Sequence, residues 1–178
     1  RFSHGGPRYE PWAWENRGMR RSWTIDAATK ELAGLRPIIS LLRDQRIELE
    51  RMKDDLLRLR RLERMGALPG GADQNQLQPA DLDPALRDAL ASSSVLEMRI
   101  RAAVDQMQAS VDRVTSRGVE LRDIDRGLVD FPAIAFGLPF LLCWEEGDGD
   151  EVLFAHNMGD GYGSRLPVAE FLRRLAAS

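Results

Sequence analysis

Five residues in the last third of the chain could do chemistry: Asp130, Cys143, His156, Asp160 and Arg165. Imidazole, carboxylate and thiolate are donors that transition metals accept, so a His–Asp–Cys group is a conceivable metal site. The spacings here match no metal motif, however, and Cys143 lies beside Leu141 and Leu142, where cysteine ordinarily behaves as a small hydrophobe. No metal and no cofactor are expected. A Cys–His nucleophile pair needs proximity and an orienting third group, and the spacing indicates neither. No catalytic residue is assigned, and a hydrolase or transferase is the last of the readings.

His156 is the best single candidate. It ends an apolar run and enters a Gly-rich segment, where binding groups often sit. The plain alternative is a histidine bonded to Asp130 or to a backbone carbonyl. Arg165 can pair with Asp130 or receive an anion. The segment MGDGYGS has glycines but lacks the spacing and lysine of a P-loop. The candidate ligand-binding residues are therefore His156, Asp130, Arg165 and Asp160.

These residues need a scaffold, and most of the chain reads as helix. Thr24 or Asp26 can cap the first one. From Leu35 the apolar residues fall on heptad spacing: Leu35, Leu42, Leu49 and Leu56 in one row, Ile38, Gln45, Met52 and Leu59 in the other. Near its start the stripe widens to Leu32, Ile39 and Leu41, which calls for cover on two sides. Ile47, Leu57 and Leu62 lie off the seam. Pro37 should kink the helix or mark where its regular part begins. Gly66 suits the C-terminal end. Residues 67–82 read as a flexible connection.

A second helix begins at Asp83-Pro84, with Asp as cap and Pro at the first position. Leu86, Ser93, Ile100, Met107, Val114 and Leu121 form one row, and Leu90, Val104 and Val111 part of another, with Glu97 and Gly118 as its weaker members. Two helices of matching length predict an antiparallel hairpin.

The period then changes. Leu128–Phe131, Phe140–Glu145 and Val152–His156 read as three short strands, with turns at Phe136-Gly137 and at Gly147 to Asp150. Trp144, Phe131 and Phe154 are expected to form the layer between sheet and hairpin. Pro167 opens a last short helix. Ahead of all this, residues 1–22 are rich in Gly, Pro, Arg and aromatics. They read either as a floppy tail or as an arm that docks Tyr9, Trp12 and Trp14 on its own body or a partner.

The whole composition narrows the classes. Apolar residues make up 43% of 178, charged residues 30%, and the net charge is −3. Nothing there favours nucleic acid. The longest uncharged run, Phe131 to Trp144, falls short of the ~18 residues of a membrane span and holds two prolines. One cysteine excludes an internal disulfide framework, and no apolar leader is visible, so a cytoplasmic setting is expected.

The stretch GLVDFPAIAFGLPFLLCW, followed by FAHNMGDGYGSRLP, resembles the prokaryotic family known as domain of unknown function 2203. The resemblance runs from about Trp23 to Pro167. The matched positions are Asp130, Phe131, Pro132, Cys143, Trp144, His156, Gly161 and Arg165. Phe131, Pro132, Trp144 and Gly161 are taken as structural. The chain departs from the family in its insertion EGDGDE and in the arm before Met19. The resemblance implies the helical and tail architecture and no activity.

The expected architecture is α+β: a long antiparallel helical hairpin over residues 23–126, then a small three-stranded antiparallel sheet with a short C-terminal helix over 127–178, packed on the hairpin base as one domain. The expected role is a non-enzymatic interaction or scaffold module. It would self-associate through the hairpin, as a dimer in preference to larger assemblies, or bind another protein. The alternative is a small-ligand or metal-binding module centred on His156, Asp130 and Arg165.

Overall fold

The computed structural model describes residues 22–66 and 84–177. The arm with Tyr9, Trp12 and Trp14, the connection at 67–82, and the side chains of Leu62, Leu86 and Leu90 lie outside the described residues. In chain order the elements are α1 (Ile25–Gly66), α2 (Pro84–Thr115), β1 (Glu120–Asp123), β2 (Leu128–Ala135), β3 (Leu138–Trp144), β4 (Phe154–Asn157), β5 (Leu166–Pro167) and α3 (Val168–Leu175). They divide into two compact units. One is Ser40–Asp112; the other holds the residues before and after it, so the first turns of α1 belong with the sheet.

Thr24 caps α1, its Oγ1 accepting from the Ala27 N–H at 3.2 Å. The helix runs on through Pro37 to Gly66. Its heptad rows fall inward as their spacing requires. Leu35, Ile38, Leu42, Leu49 and Met52 are buried, and Gln45, Leu56 and Leu59 half-buried. Leu32 and Ile39 are buried as well, but Leu41, expected in the wide stripe, is exposed.

In α2 the first row holds: Ser93 and Val114 are buried, Ile100 and Met107 half-buried. The second row holds in part: Glu97 and Val111 are half-buried. Val104 is exposed, and Ala103 and Ser110 take the inward side. A reading that follows large apolar residues passes over an inward face made of small ones. Leu121 does not extend the first row either. The helix ends at Thr115, Gly118 follows with φ 78°, and Leu121 sits in β1. Glycine takes that left-handed conformation at little cost, which makes it a good helix stop.

The sheet has five strands in the order β1-β2-β3-β4-β5, every neighbour antiparallel, rather than the three expected. The two extra strands are the outer ones. β1 is four residues, three of them charged, and β5 only two, so neither carries an apolar run. The β2–β3 turn falls where predicted. Phe136 and Gly137 have φ 53° and 77°, the pair of positive values that a two-residue type I′ hairpin needs.

Alternation sorts the strands onto two faces. Val129, Phe131, Ala133, Phe140, Leu142, Trp144 and Ala155 share one. Against it lie Trp23, edge-on to Phe131 with ring centroids 5.3 Å apart, and Phe171 of α3, 5.2 Å from Phe140. The Arg36 guanidinium stacks over Trp144 at 5.3 Å. Phe154 is not in this layer, contrary to expectation. Its pairing with Cys143 puts it on the opposite face.

Trp23 ties the entry of α1 to the sheet. Its backbone N–H donates to the Pro132 carbonyl at 2.8 Å, and its indole N–H to the Gly118 carbonyl at 2.9 Å. This also accounts for a proline inside a central strand. β1 pairs with β2 only as far as Asp130, so beyond it that edge of β2 faces no strand. The Pro132 carbonyl points to this edge, and the missing N–H lies on the same side. No bond between β2 and β3 is lost.

Candidate functional site

The second face of the sheet gathers the polar residues. Asp130 of β2 stands directly across from Cys143 of β3, and His156 of β4 across from Leu141. Cys143 and Leu141 are two residues apart on one strand, so all three polar side chains emerge on the same side. Asp130, Cys143 and His156 are 1%, 0% and 3% exposed. Their donor atoms all lie within 4.8 Å of one another.

Hydrogen bonds favour a charged pair. The His156 Nδ1 lies 2.9 Å from the Asn157 carbonyl, and Nε2 lies 3.3 Å from Asp130 Oδ1. A carbonyl and an ionised carboxylate only accept, so this geometry suits the imidazolium, which donates from both ring nitrogens. Burial opposes that charge, but the hydrogen bond and field of Asp130 outweigh it and hold His156 above the usual imidazole range. For Asp130, burial alone would raise the carboxyl. The bonds from His156 and from Arg122, whose Nε donates to Oδ2 at 2.6 Å, hold it below the usual carboxylate range instead. Burial, with the Asp130 charge behind it, pushes the Cys143 thiol up to about 12.

Beside this trio runs a second network. Arg165 donates from Nη1 to Asp148 at 2.7 Å and from Nη2 to Glu145 at 2.9 Å. Its guanidinium stacks over Phe154 and over Tyr162, each at 4.3 Å. Tyr162 donates its hydroxyl to Glu145, whose other oxygen accepts from Arg126 Nη2 at 2.7 Å. Burial would raise the Glu145 carboxyl, and Tyr162 and the two arginines together hold it low.

The sequence candidates therefore separate. His156 and Asp130 meet, and His156 makes both of the bonds foreseen as its plain alternative. Arg165 does not reach Asp130 for an ion pair. Its two arms are committed to Glu145, just ahead of the segment EGDGDE, and to Asp148 within it. Asp160 is exposed and accepts only from the Asn157 amide at 2.8 Å. Gly161 precedes the short 3-10 turn at Tyr162–Ser164.

The partner that sequence reading missed is Arg122. It was absorbed into the end of α2 through Leu121. The signal was present: Gly118 is a stop, and Val119 and Leu121 then alternate with charges as a half-buried strand does. Arg126, Glu145 and Tyr162 had no such signal, because loop contacts between distant positions follow no period.

Residues 21–168 match the model of a family described as an uncharacterized conserved protein, DUF2203. The chain belongs to the DUF2203 family. The match takes in α1, α2 and every strand, and reaches the first residue of α3. No curated protein and no solved structure matches the chain. The stretch GLVDFP has a physical reading here. Gly127 turns β1 into β2 with φ 62°, and an added Cβ would come within 3.0 Å of the Ile39 side chain. Asp130 supplies the buried carboxylate, Phe131 the contact with Trp23, and Pro132 the carbonyl that receives the start of α1.

Proposed function

We propose that this DUF2203 chain is an interaction module in which α1 and α2 form an antiparallel hairpin that pairs with a second copy of itself. The observation that carries the reading is an inversion in α2 within the Ser40–Asp112 unit. Among its described residues there, the buried side chains are Ser93 and Ser110, while Val95, Met98 and Val104 are 52%, 63% and 46% exposed. On α1, Ile47 and Leu57 are likewise 52% and 60% exposed. A helix that turns serines inward and leaves aliphatics outward suits a second apolar surface.

The chemistry of the nearby groove favours a like surface. It has a volume of about 620 Å³ and is lined by Leu59, Val95 and Leu96 among Asp55, Arg58 and Arg99. Apolar side chains rimmed by both signs of charge suit a partner with the same mixture, as in helical bundles. Arg60 and Glu97, paired at 2.7 Å between α1 and α2, are of the same kind.

Light scattering across a concentration series tests this. The expected result is a dimer that Met98→Glu and Leu57→Glu convert to monomer with unchanged helical circular dichroism. A monomer at every concentration overturns the proposal.

A further inference from the structure

We propose that Asp130, Cys143 and His156 form a binding site for a divalent transition metal of the zinc class. Three different donor types, from three neighbouring strands, converge on one buried spot with their ligand atoms within 4.8 Å of one another. Carboxylate, thiolate and imidazole are the set that zinc takes, and three protein ligands leave a fourth position for water or another small ligand.

The distances are close to what the ion needs. Donors about 2.0–2.1 Å from a tetrahedral zinc stand about 3.3 Å apart. His156 Nε2 and Asp130 Oδ1 are separated by 3.3 Å. The Cys143 Sγ lies within 4.8 Å of both, against roughly 3.5 Å for sulfur and nitrogen or oxygen on one tetrahedral zinc.

The surroundings are those of a ligand set already oriented. A metal-binding histidine usually donates its second ring N–H to a carbonyl or carboxylate, and binding carboxylates are themselves hydrogen-bonded. His156 gives Nδ1–H to the Asn157 carbonyl, which turns Nε2 toward Asp130. Arg122 holds Oδ2, which leaves Oδ1 facing His156. His156 and Asp130 thus each have the outer atom occupied and the inner atom turned to the other. Uptake of a divalent ion replaces two protons, one on Nε2 and one on Sγ. The total charge of the cluster does not change, so burial adds no new penalty for net charge.

The donors are covered, so the ion is best supplied while the sheet closes. The full-length chain is unfolded with chelator, then refolded with cobalt(II) or zinc(II) as the only added metal. The expected result is one equivalent bound, with a thiolate-to-cobalt charge-transfer band in the near ultraviolet. Cys143→Ser should lose that band, and His156→Ala should lose stoichiometric binding. Arg122→Gln, which leaves all three ligands in place, should weaken binding roughly ten- to a hundred-fold. Wild-type protein that refolds without stoichiometric metal overturns the proposal. So does metal bound without the thiolate band, or equally well by Cys143→Ser.

Discussion

Asp130 and His156 come from strands that are not neighbours, yet Nε2 of one lies 3.3 Å from Oδ1 of the other across the width of β3. Both are buried, and Arg122 holds the second carboxylate oxygen. The pair couples stability to pH in both directions. The His156 pKa is raised, so its contribution is complete below the unfolded imidazole value and is lost as pH rises through the folded one. The Asp130 pKa is lowered, so its contribution is complete above the unfolded carboxylate value and is lost as pH falls through the folded one. In chelator-treated protein the pair should stabilise most between roughly pH 4 and 6.5. Urea midpoints across pH should decline on both sides of that window, and the alkaline decline should be missing in His156→Gln.

Removing the carboxylate strands one buried cation. Asp130→Ala leaves His156 buried without its counter-charge, while Arg122 keeps Glu120 at 3.4 Å. The expected loss is roughly 3–5 kcal/mol, the range for a broken buried pair. Denaturant unfolding at mid-window pH measures it. A loss below about 1 kcal/mol would place the pair with ordinary surface ion pairs.

Cys143 should be inert as a nucleophile in the folded protein. Burial and the Asp130 charge keep the thiol protonated, with its pKa near 12, and only the thiolate attacks. A chromogenic disulfide reagent at neutral pH should titrate no thiol in the native chain and one after denaturation. Fast labelling of the native protein would contradict the burial.

Gly127 should tolerate no side chain. Alanine there takes a positive φ at a cost of about 1–2 kcal/mol and also presses on Ile39 and Glu146. Gly127→Ala should lower the thermal midpoint more than Gly137→Ala. Gly137 has a similar φ, but a Cβ there would meet nothing within 4 Å.

Trp23 should be among the costliest truncations. It is 3% exposed, meets Phe131 edge-on and donates from its ring to the Gly118 carbonyl. Trp23→Ala is expected to cost about 3–5 kcal/mol, read from equilibrium unfolding. A small loss would mean that the entry of α1 is held by its other contacts.

What was legible in the chain follows the length over which a pattern repeats. Leu35, Leu42 and Leu49 repeat often enough to place one face of α1, and Phe136-Gly137 marks a turn by local conformation alone. β1 and β5 are too short to show a period, and small inward residues such as Ala103 and Ser110 leave no apolar trace. The pairing of Asp130 and His156 could be listed from residue types as one option among several. That Arg122 rather than Arg165 holds the carboxylate depends on strand order, which no local spacing encodes.

The outermost strands of the sheet bear on how copies of the chain can join. β1 offers four residues and β5 two, the second of them Pro167, which has no N–H to give. A neighbouring chain would find too few free amides and carbonyls there to add a strand. Strand addition is thereby discouraged at both margins, which agrees with the proposed union of copies through helices.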